Sequence, residues 1–580
     1  MYNFFENARD IEALQNAEKI MNDNAISADY TFEGVKIFSM DRAVQATSEY
    51  SVGISMYSSR SGNYELQTQG SGSDIKYENI RGWHQADGAL FLYTKEYSSY
   101  QDGFWATVDS YRLEGTTVDT KELSLGSGKG VKSKQSWVGG ATDGSIGVVG
   151  MYLDKTNVSM DLTAKKSWFL LDGVVVAVGS DINGTTEATI ETIVENRLLG
   201  ETNEQAIDRD VLINGVLDDG IQKKQELQAN SWVYLDGLQE GTSIGYYFPD
   251  GGSVTTLKES RSDSYLSINT LFVDGKTYEH DYFKMMIEHG TEVVDGEYSY
   301  VVLPGKTAEE VSDYAKNNTL EIFKNDDVHM IKDDDLGIFA MNVWKETGYS
   351  LNGYTVDKQS SLLVQQNGEE LKITVADPTR KQGEITVLMD VSYASIVSCD
   401  LGIVPLDDAS GFTFTSNSGG ASSTIVFKLS TALDFSQLQK AVKEAKSLNS
   451  SLYTPSSYSK MKTVLAQAEL SLIEATTQEE INQATTNLLS AINSLVYKAD
   501  FSKLIGLINE CNLFIEKEYT TSSWASFEMI LDEAKSLIQD KNASQGSLDN
   551  MEQRLSAARD SLQKKVLYWW IRVDLKPKYL

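Results

Sequence analysis

The stretch YENIRGWHQADGALFLY, Tyr77 to Tyr93, sets Trp83, Phe91 and two tyrosines around an Asn-Ile-Arg-Gly turn, with Glu78, Gln85 and Asp87 interleaved. Aromatic faces beside hydrogen-bonding side chains suit a sugar-binding cleft, because the apolar face of a sugar ring stacks on an aromatic while its hydroxyls pair with amides and carboxylates. Other residues able to do chemistry are sparse. The chain has four histidines, His84, His280, His289 and His329, and no HExxH or paired Cys/His spacing that suggests a catalytic metal. No metal and no cofactor are expected. His84, directly after Trp83, reads first as a structural residue. Cys399 and Cys511 fall in different segments, so a disulfide between them is not expected.

The charge balance narrows the partners. With 51 Lys+Arg against 83 Asp+Glu the net charge is −32, a field that repels nucleic acid and anionic membrane. It also repels an acidic polysaccharide unless a cleft carries locally positive groups. No apolar run approaches the roughly 20 residues of a membrane span. The opening MYNFFENARDIEAL lacks a basic region followed by an apolar one, so it is not read as a signal peptide. Either the protein is cytoplasmic or this is not its natural N-terminal end.

The elements that must hold such a cleft follow from periodicity. Residues 1–34 read as helical, with Ile11, Leu14 and Met21 near one face. From 35 to about 430, short alternating or apolar runs punctuated by Gly, Asn, Asp and Ser read as all-β. In KSWFLLDGVVVAVGS, two β-forming runs flank Asp172-Gly173, the pair a type I′ hairpin prefers. Many such strands imply large antiparallel sandwiches. From Asp434 the spacing of Phe435, Leu438, Val442, Ala445 and Leu448 is helical, and the block repeats. DFSQL at 434 returns as DFSKL at 500, and YTPSSY at 453 returns as YTTSSW at 519. Two tandem three-helix bundles are expected, at 434–497 and 500–565, with 566–580 unassigned.

SSRSGNYE, ENIRGWHQADGALFLY, DGFWATVDSYRLEGTT, KSWFLLDGVVVAVGSDI with TIVENR, and EHGTEVVDGEYSYVVLPG occur here in a fixed order. In that order they resemble polysaccharide lyase family 8, the hyaluronate, chondroitin and xanthan lyases. The resemblance covers roughly residues 36 to 400. It implies a mainly β fold with α: a central β-sandwich at 35–322, a smaller C-terminal β-domain at 323–430 carrying DDLGIFAMNVWK and LKITVADPTR, and, at 1–34, a helical remnant of the family's (α/α) toroid. The paired three-helix modules resemble FIVAR modules, which accompany secreted surface enzymes of Gram-positive bacteria.

The resemblance implies β-elimination at a uronic acid, giving unsaturated uronides from hyaluronan or chondroitin. In that chemistry an amide or cation neutralises the uronate carboxylate, a tyrosine or histidine removes the C5 proton, and an acid protonates the leaving oxygen. The family carries the Asn, His and Tyr for this on the toroid, so no catalytic residue is assigned in this chain, which alone is expected to have at most trace activity. The β-domain contributes a rim. Glu65 of NYE matches the first position of the family's E-x-x-N; the Asn position reads Thr68, which leaves Asn79 of ENIRGW as the amide. These two either touch substrate or make strand-end hydrogen bonds. Arg60 supplies either local positive charge or a buried ion pair, and Trp83 and Trp105 either stack on sugars or pack in the core. Where members usually carry prolines this chain has Ala106, Ser110 and Glu114, which should loosen those loops. The implied partner is an acidic polysaccharide, the implied location extracellular or at the cell surface, with surface association through the helical modules. The competing reading is a non-catalytic glycan-binding or surface-attachment protein.

Overall fold

A computed structural model describes residues 32–566, except 101–102, 159–160, 186, 201–208, 219–222, 272–274, 417–418 and 431–432. The expected N-terminal helix therefore lies outside the described residues up to 31, and Gly34 already opens a strand. The unassigned tail lies outside them from 567 onward.

Residues up to Ser430 belong to one compact unit. Its centre is a nine-stranded antiparallel sheet, and its hairpin Leu162–Leu171/Val174–Gly184 shows why the sequence folds this way. Along the first strand, Trp168 and Leu170 face one core and Phe169 and Leu171 the other. A period of two with apolar residues on both phases is the mark of a strand buried on both faces. One core is shared with a four-stranded sheet and a five-stranded sheet. The opposite core is shared with the helix Ala308–Asn317 and the next domain through Ile331, Ala340 and Leu363. The turn Asp172-Gly173 is present, but only Gly173 takes a positive φ (69°), so it is not the expected type I′ turn. The Gly173 N–H is held by the Tyr50 hydroxyl at 3.2 Å.

The second β-domain pairs a seven-stranded with a five-stranded sheet around Met341, Val343, Leu362, Ile373, Val387, Phe412 and Phe427. Its first strand is Leu320–Lys324, so the sheet begins slightly before the expected junction at 322/323. Trp137 and Trp344 pack across the two β-domains with ring centroids 4.0 Å apart.

Residues from Thr431 form a separate compact unit of two helical bundles. The first comprises Ser436–Ser447, Pro455–Glu474 and Gln478–Asn493; the second comprises Ser502–Cys511, Thr521–Leu537 and Gln545–Asp560. Leu438, Val442 and Ala445 are buried in the first core, with Phe435 and Leu448 packed at its margin. Cys399 is exposed, Cys511 is buried, and both are free thiols.

Candidate functional site

The four-stranded sheet, Gly34–Phe38, Arg42–Ala46, Tyr50–Ser55 and Ala89–Thr94, builds the floor of a cleft. Alternation puts Ala43, Val52, Ile54, Leu90 and Leu92 in the core and turns Arg42, Ser55 and Phe91 outward. Arg42 lies directly opposite Ser55 in the ladder. Above this floor the segment 61–65, the turn at Asn79 and Trp105 form walls around a cavity of about 690 Å³.

The turn depends on two backbone choices. Asn79 adopts φ 57°, a left-handed conformation that asparagine tolerates. A Cβ on Gly82 would overlap the Tyr64 ring and sit 2.8 Å from Asn79 Nδ2, so only glycine lets the two approach. Asn79 then donates to Gln85 Oε1 at 2.8 Å and to the Glu65 carbonyl at 3.0 Å, while Gln85 donates back to Asn79 Oδ1 at 2.9 Å. Both Asn79 N–H groups are thereby used, and Gln85 keeps one unspent. On the same cleft, Phe91 and Trp105 meet edge to face at 5.8 Å. Trp105 is half-buried, with Phe104 behind it at 5.2 Å.

Of the five expected site residues, Glu65, Asn79 and Trp105 line the cleft together. The other two have structural roles. Trp83 is only 3% exposed, packs on Tyr111 at 4.7 Å and donates from Nε1 to the Ser124 carbonyl, so the core alternative holds for it. Arg60 pairs with buried Asp41 at 2.9 Å and donates to the Ser136 and Val138 carbonyls, which makes it the buried ion pair rather than the free charge.

The charge sits instead on Arg42, a residue that no motif in the sequence marks. Its Nη1 donates to the carbonyls of Met40, Asp41 and Met56. Burial, the larger influence, lowers its pKa and the nearby Asp41 partly offsets this; an arginine guanidinium keeps its proton throughout. Asp41, its neighbour in sequence, pairs with Arg60 and makes no ion pair with Arg42. Tyr64 and Gln85 also line the cleft. Burial pushes the Tyr64 phenol up to about 12, and its hydroxyl donates to the Ser127 carbonyl at 2.9 Å, so it is no base as it stands.

The histidines are committed elsewhere. His84 is fully buried with Nδ1 2.8 Å from Asp87, whose carboxylate also receives Lys155 at 2.7 Å. Burial, the largest influence, lowers the pKa of His84. His329 is held between Ser167 and Ser180 at 2.8 and 2.9 Å, and burial pushes it down to about 3. His289 contacts Thr192 at 2.8 Å and is pushed down to about 4. Away from the cleft, Asp181, Asp295 and Asp326 cluster closely enough to hold a cation, but Lys165 already pairs with Asp181 at 2.8 Å.

Glu114 occupies one of the three positions at which looser loops were expected. Its side chain is buried and accepts from the Tyr100 hydroxyl at 2.6 Å, a contact that ties this loop to the fold. Tyr100 packs on Phe91 at 5.7 Å, which places this acid behind the aromatic pair of the cleft. Burial, reinforced by Glu195, pushes the Glu114 carboxyl up to about 8.

Residues 33–315 match the polysaccharide lyase family 8 super-sandwich domain and residues 322–386 its C-terminal β-sandwich domain; 434–496 and 512–563 match the FIVAR domain. The polysaccharide lyase 8 family protein HylA of Enterococcus faecalis is 35% identical over 97% of this chain and 40% of its own length. Hyaluronate lyase HylB of the same species is 34% identical over 73% of this chain and 42% of its own length. The xanthan lyase of Bacillus sp. (strain GL1) is 33% identical over 66% and 40%. The chain thus spans about 40% of the length of these curated relatives. Among solved structures, Paenibacillus xanthan lyase aligns with a TM-score of 0.64 at 33% identity, covering 73% of this chain and 40% of that one. Streptomyces coelicolor chondroitin AC lyase in complex with chondroitin sulphate aligns at 0.60 and 28% identity, covering 72% and 52%.

Proposed function

The chain belongs to polysaccharide lyase family 8, and from that premise we propose that it forms one wall of the active site of an exported lyase. The lyase cleaves hyaluronan or chondroitin by β-elimination at a uronic acid. The observation that carries this reading is the cleft itself, where the aromatic pair Phe91 and Trp105 faces the amides of Asn79 and Gln85 and the carboxylate of Glu65. A sugar ring lying on the aromatics can present its hydroxyls to the Gln85 amide and the Glu65 carboxylate. In this role the wall binds and orients, and orientation within hydrogen-bond reach is what acid–base catalysis requires.

The proton is removed from the other side of the ring. None of the described cleft residues is a histidine, and the tyrosine there is held by a carbonyl. The described residues of this chain therefore bind acidic glycan and show at most trace elimination by themselves. Export fits a polymeric substrate too large to enter a cell, and no helix among the described residues is long and apolar enough to cross a membrane. The helical bundles, matched by the FIVAR domain, would attach the enzyme at the surface.

The test is to incubate the 580-residue chain with hyaluronan and with chondroitin, following the ultraviolet absorbance of the unsaturated product, and to measure binding of the same polymers in parallel. Binding with negligible turnover is expected. Robust elimination by this chain would contradict the assignment of the base to the facing side, and absence of binding would contradict the assignment of the cleft.

A further inference from the structure

We propose that Arg42 is the anion receptor of the cleft, taking the carboxylate or sulfate of an acidic sugar on the free edge of its guanidinium. The proposal rests on the glycan-binding reading above and names the group that makes it selective for acidic polymers. A chain of net charge −32 repels a polyanion, so binding one requires a local cation that nothing else has neutralised.

Arg42 is that cation. Among the described residues lining the cleft it is the one basic side chain and Glu65 the one carboxylate. Its sequence neighbour Asp41 is near enough to feel its charge but makes no direct ion pair with it. Asp41 is 1% exposed, its Oδ1 is taken by Arg60 at 2.9 Å with Arg380 at 3.7 Å, and its Oδ2 accepts from the hydroxyls of Ser58 and Ser61. No carboxylate among the described residues forms an ion pair with Arg42.

The guanidinium is also oriented. Nη1 is fixed by three backbone carbonyls, while Nε and Nη2 have no hydrogen-bond partner among the described residues and are not sealed from solvent. Those two nitrogens form one edge of the planar fork, the edge that matches two oxygens of a carboxylate or sulfate. Because the carbonyls hold the side chain in place, little rotamer freedom remains to be lost when the anion binds. Arg42 stands opposite Ser55 on the outward face of the sheet, on the floor that also carries Phe91.

The experiment titrates the full chain by calorimetry with three oligosaccharides of equal length: hyaluronan, chondroitin sulfate and carboxyl-reduced hyaluronan. Wild-type protein should prefer the acidic ligands, with affinity that falls as salt rises. Arg42→Gln should lose about tenfold to a hundredfold in affinity for the acidic ligands, as expected for a charge-assisted hydrogen-bonded pair, while affinity for the reduced one stays within about twofold. A loss on both acidic ligands identifies the carboxylate as the bound group, and a loss on chondroitin sulfate alone identifies the sulfate. Arg42→Lys keeps the charge but not the fork and should fall between; it decides the matter if Arg42→Gln does not fold. Unchanged affinity for acidic ligands in a folded Arg42 variant, or salt-independent binding by the wild type, overturns the proposal while leaving the glycan-binding cleft standing. Failure of the wild type to bind any of the three overturns both.

Discussion

Asn79 and Gln85 exchange two amide hydrogen bonds, of 2.8 and 2.9 Å, across the turn that walls the cleft. The exchange divides the labour between them. Asn79, with its second N–H on the Glu65 carbonyl, braces the turn, and Gln85 keeps the N–H that a sugar oxygen can accept.

Gln85→Ala should therefore weaken oligosaccharide binding by about tenfold and, because both amide bonds to Asn79 go with it, cost on the order of 1 kcal/mol in unfolding. Asn79→Ala should cost more in unfolding, because the bond to the Glu65 carbonyl is lost as well. Calorimetric titration beside a denaturant unfolding curve separates the two, and equal effects from both variants would deny the division.

Gly82→Ala tests the same turn from the backbone side. The added methyl would overlap Tyr64 and crowd Asn79 Nδ2. A cost of about 1–3 kcal/mol is expected, in line with overpacking, together with loss of glycan binding. An unfolding midpoint equal to wild type would show that the turn gives way freely.

Glu114 should make stability depend on pH. Its carboxyl is pushed up to about 8 in the folded state from an ordinary value of 4.5. A group whose folded pKa is raised contributes its full stability below the unfolded pKa, and that contribution is lost as pH rises through the folded one. Stability should therefore fall between about pH 4.5 and 8, by an amount on the order of a few kcal/mol. Glu114→Gln should flatten this slope, which denaturant unfolding at several pH values would reveal.

Lys155 lies beneath the turn with its ammonium on both oxygens of buried Asp87. Lys155→Met leaves that carboxylate with only His84 and should cost about 3–5 kcal/mol, the penalty for stripping one partner from a buried pair. A loss of unfolding free energy of less than about 1 kcal/mol would mean that His84 becomes protonated and takes over the charge.

Much of this architecture was legible because it rests on local rules. The alternation around Asp172-Gly173 and the helical spacing of Leu438, Val442 and Ala445 are set by residues near each other in the chain. The five candidate site residues were drawn from motifs, and motifs do not say which way a side chain faces. Trp83 went inward because the Ser124 carbonyl offered its indole N–H a buried partner. Arg60 took the ion-pair alternative and Arg42, which no motif marked, became the cation of the cleft because Asp41 turned toward Arg60, Ser58 and Ser61, a contact between loops that spacing cannot reveal. Glu114 stood where a proline was expected, and only the fold shows that Tyr100 waits for its carboxyl.

The most direct test of the central claim is binding of a hyaluronan oligosaccharide to the 580-residue chain, followed through tryptophan fluorescence in wild type and Trp105→Phe and by calorimetry in Trp105→Ala. The cleft reading predicts saturable binding with a fluorescence change that vanishes in Trp105→Phe, and an affinity about tenfold lower in Trp105→Ala, since sugar stacking on that ring is lost. Saturable binding of unchanged affinity in folded Trp105→Ala would place the glycan elsewhere on the molecule and contradict the account.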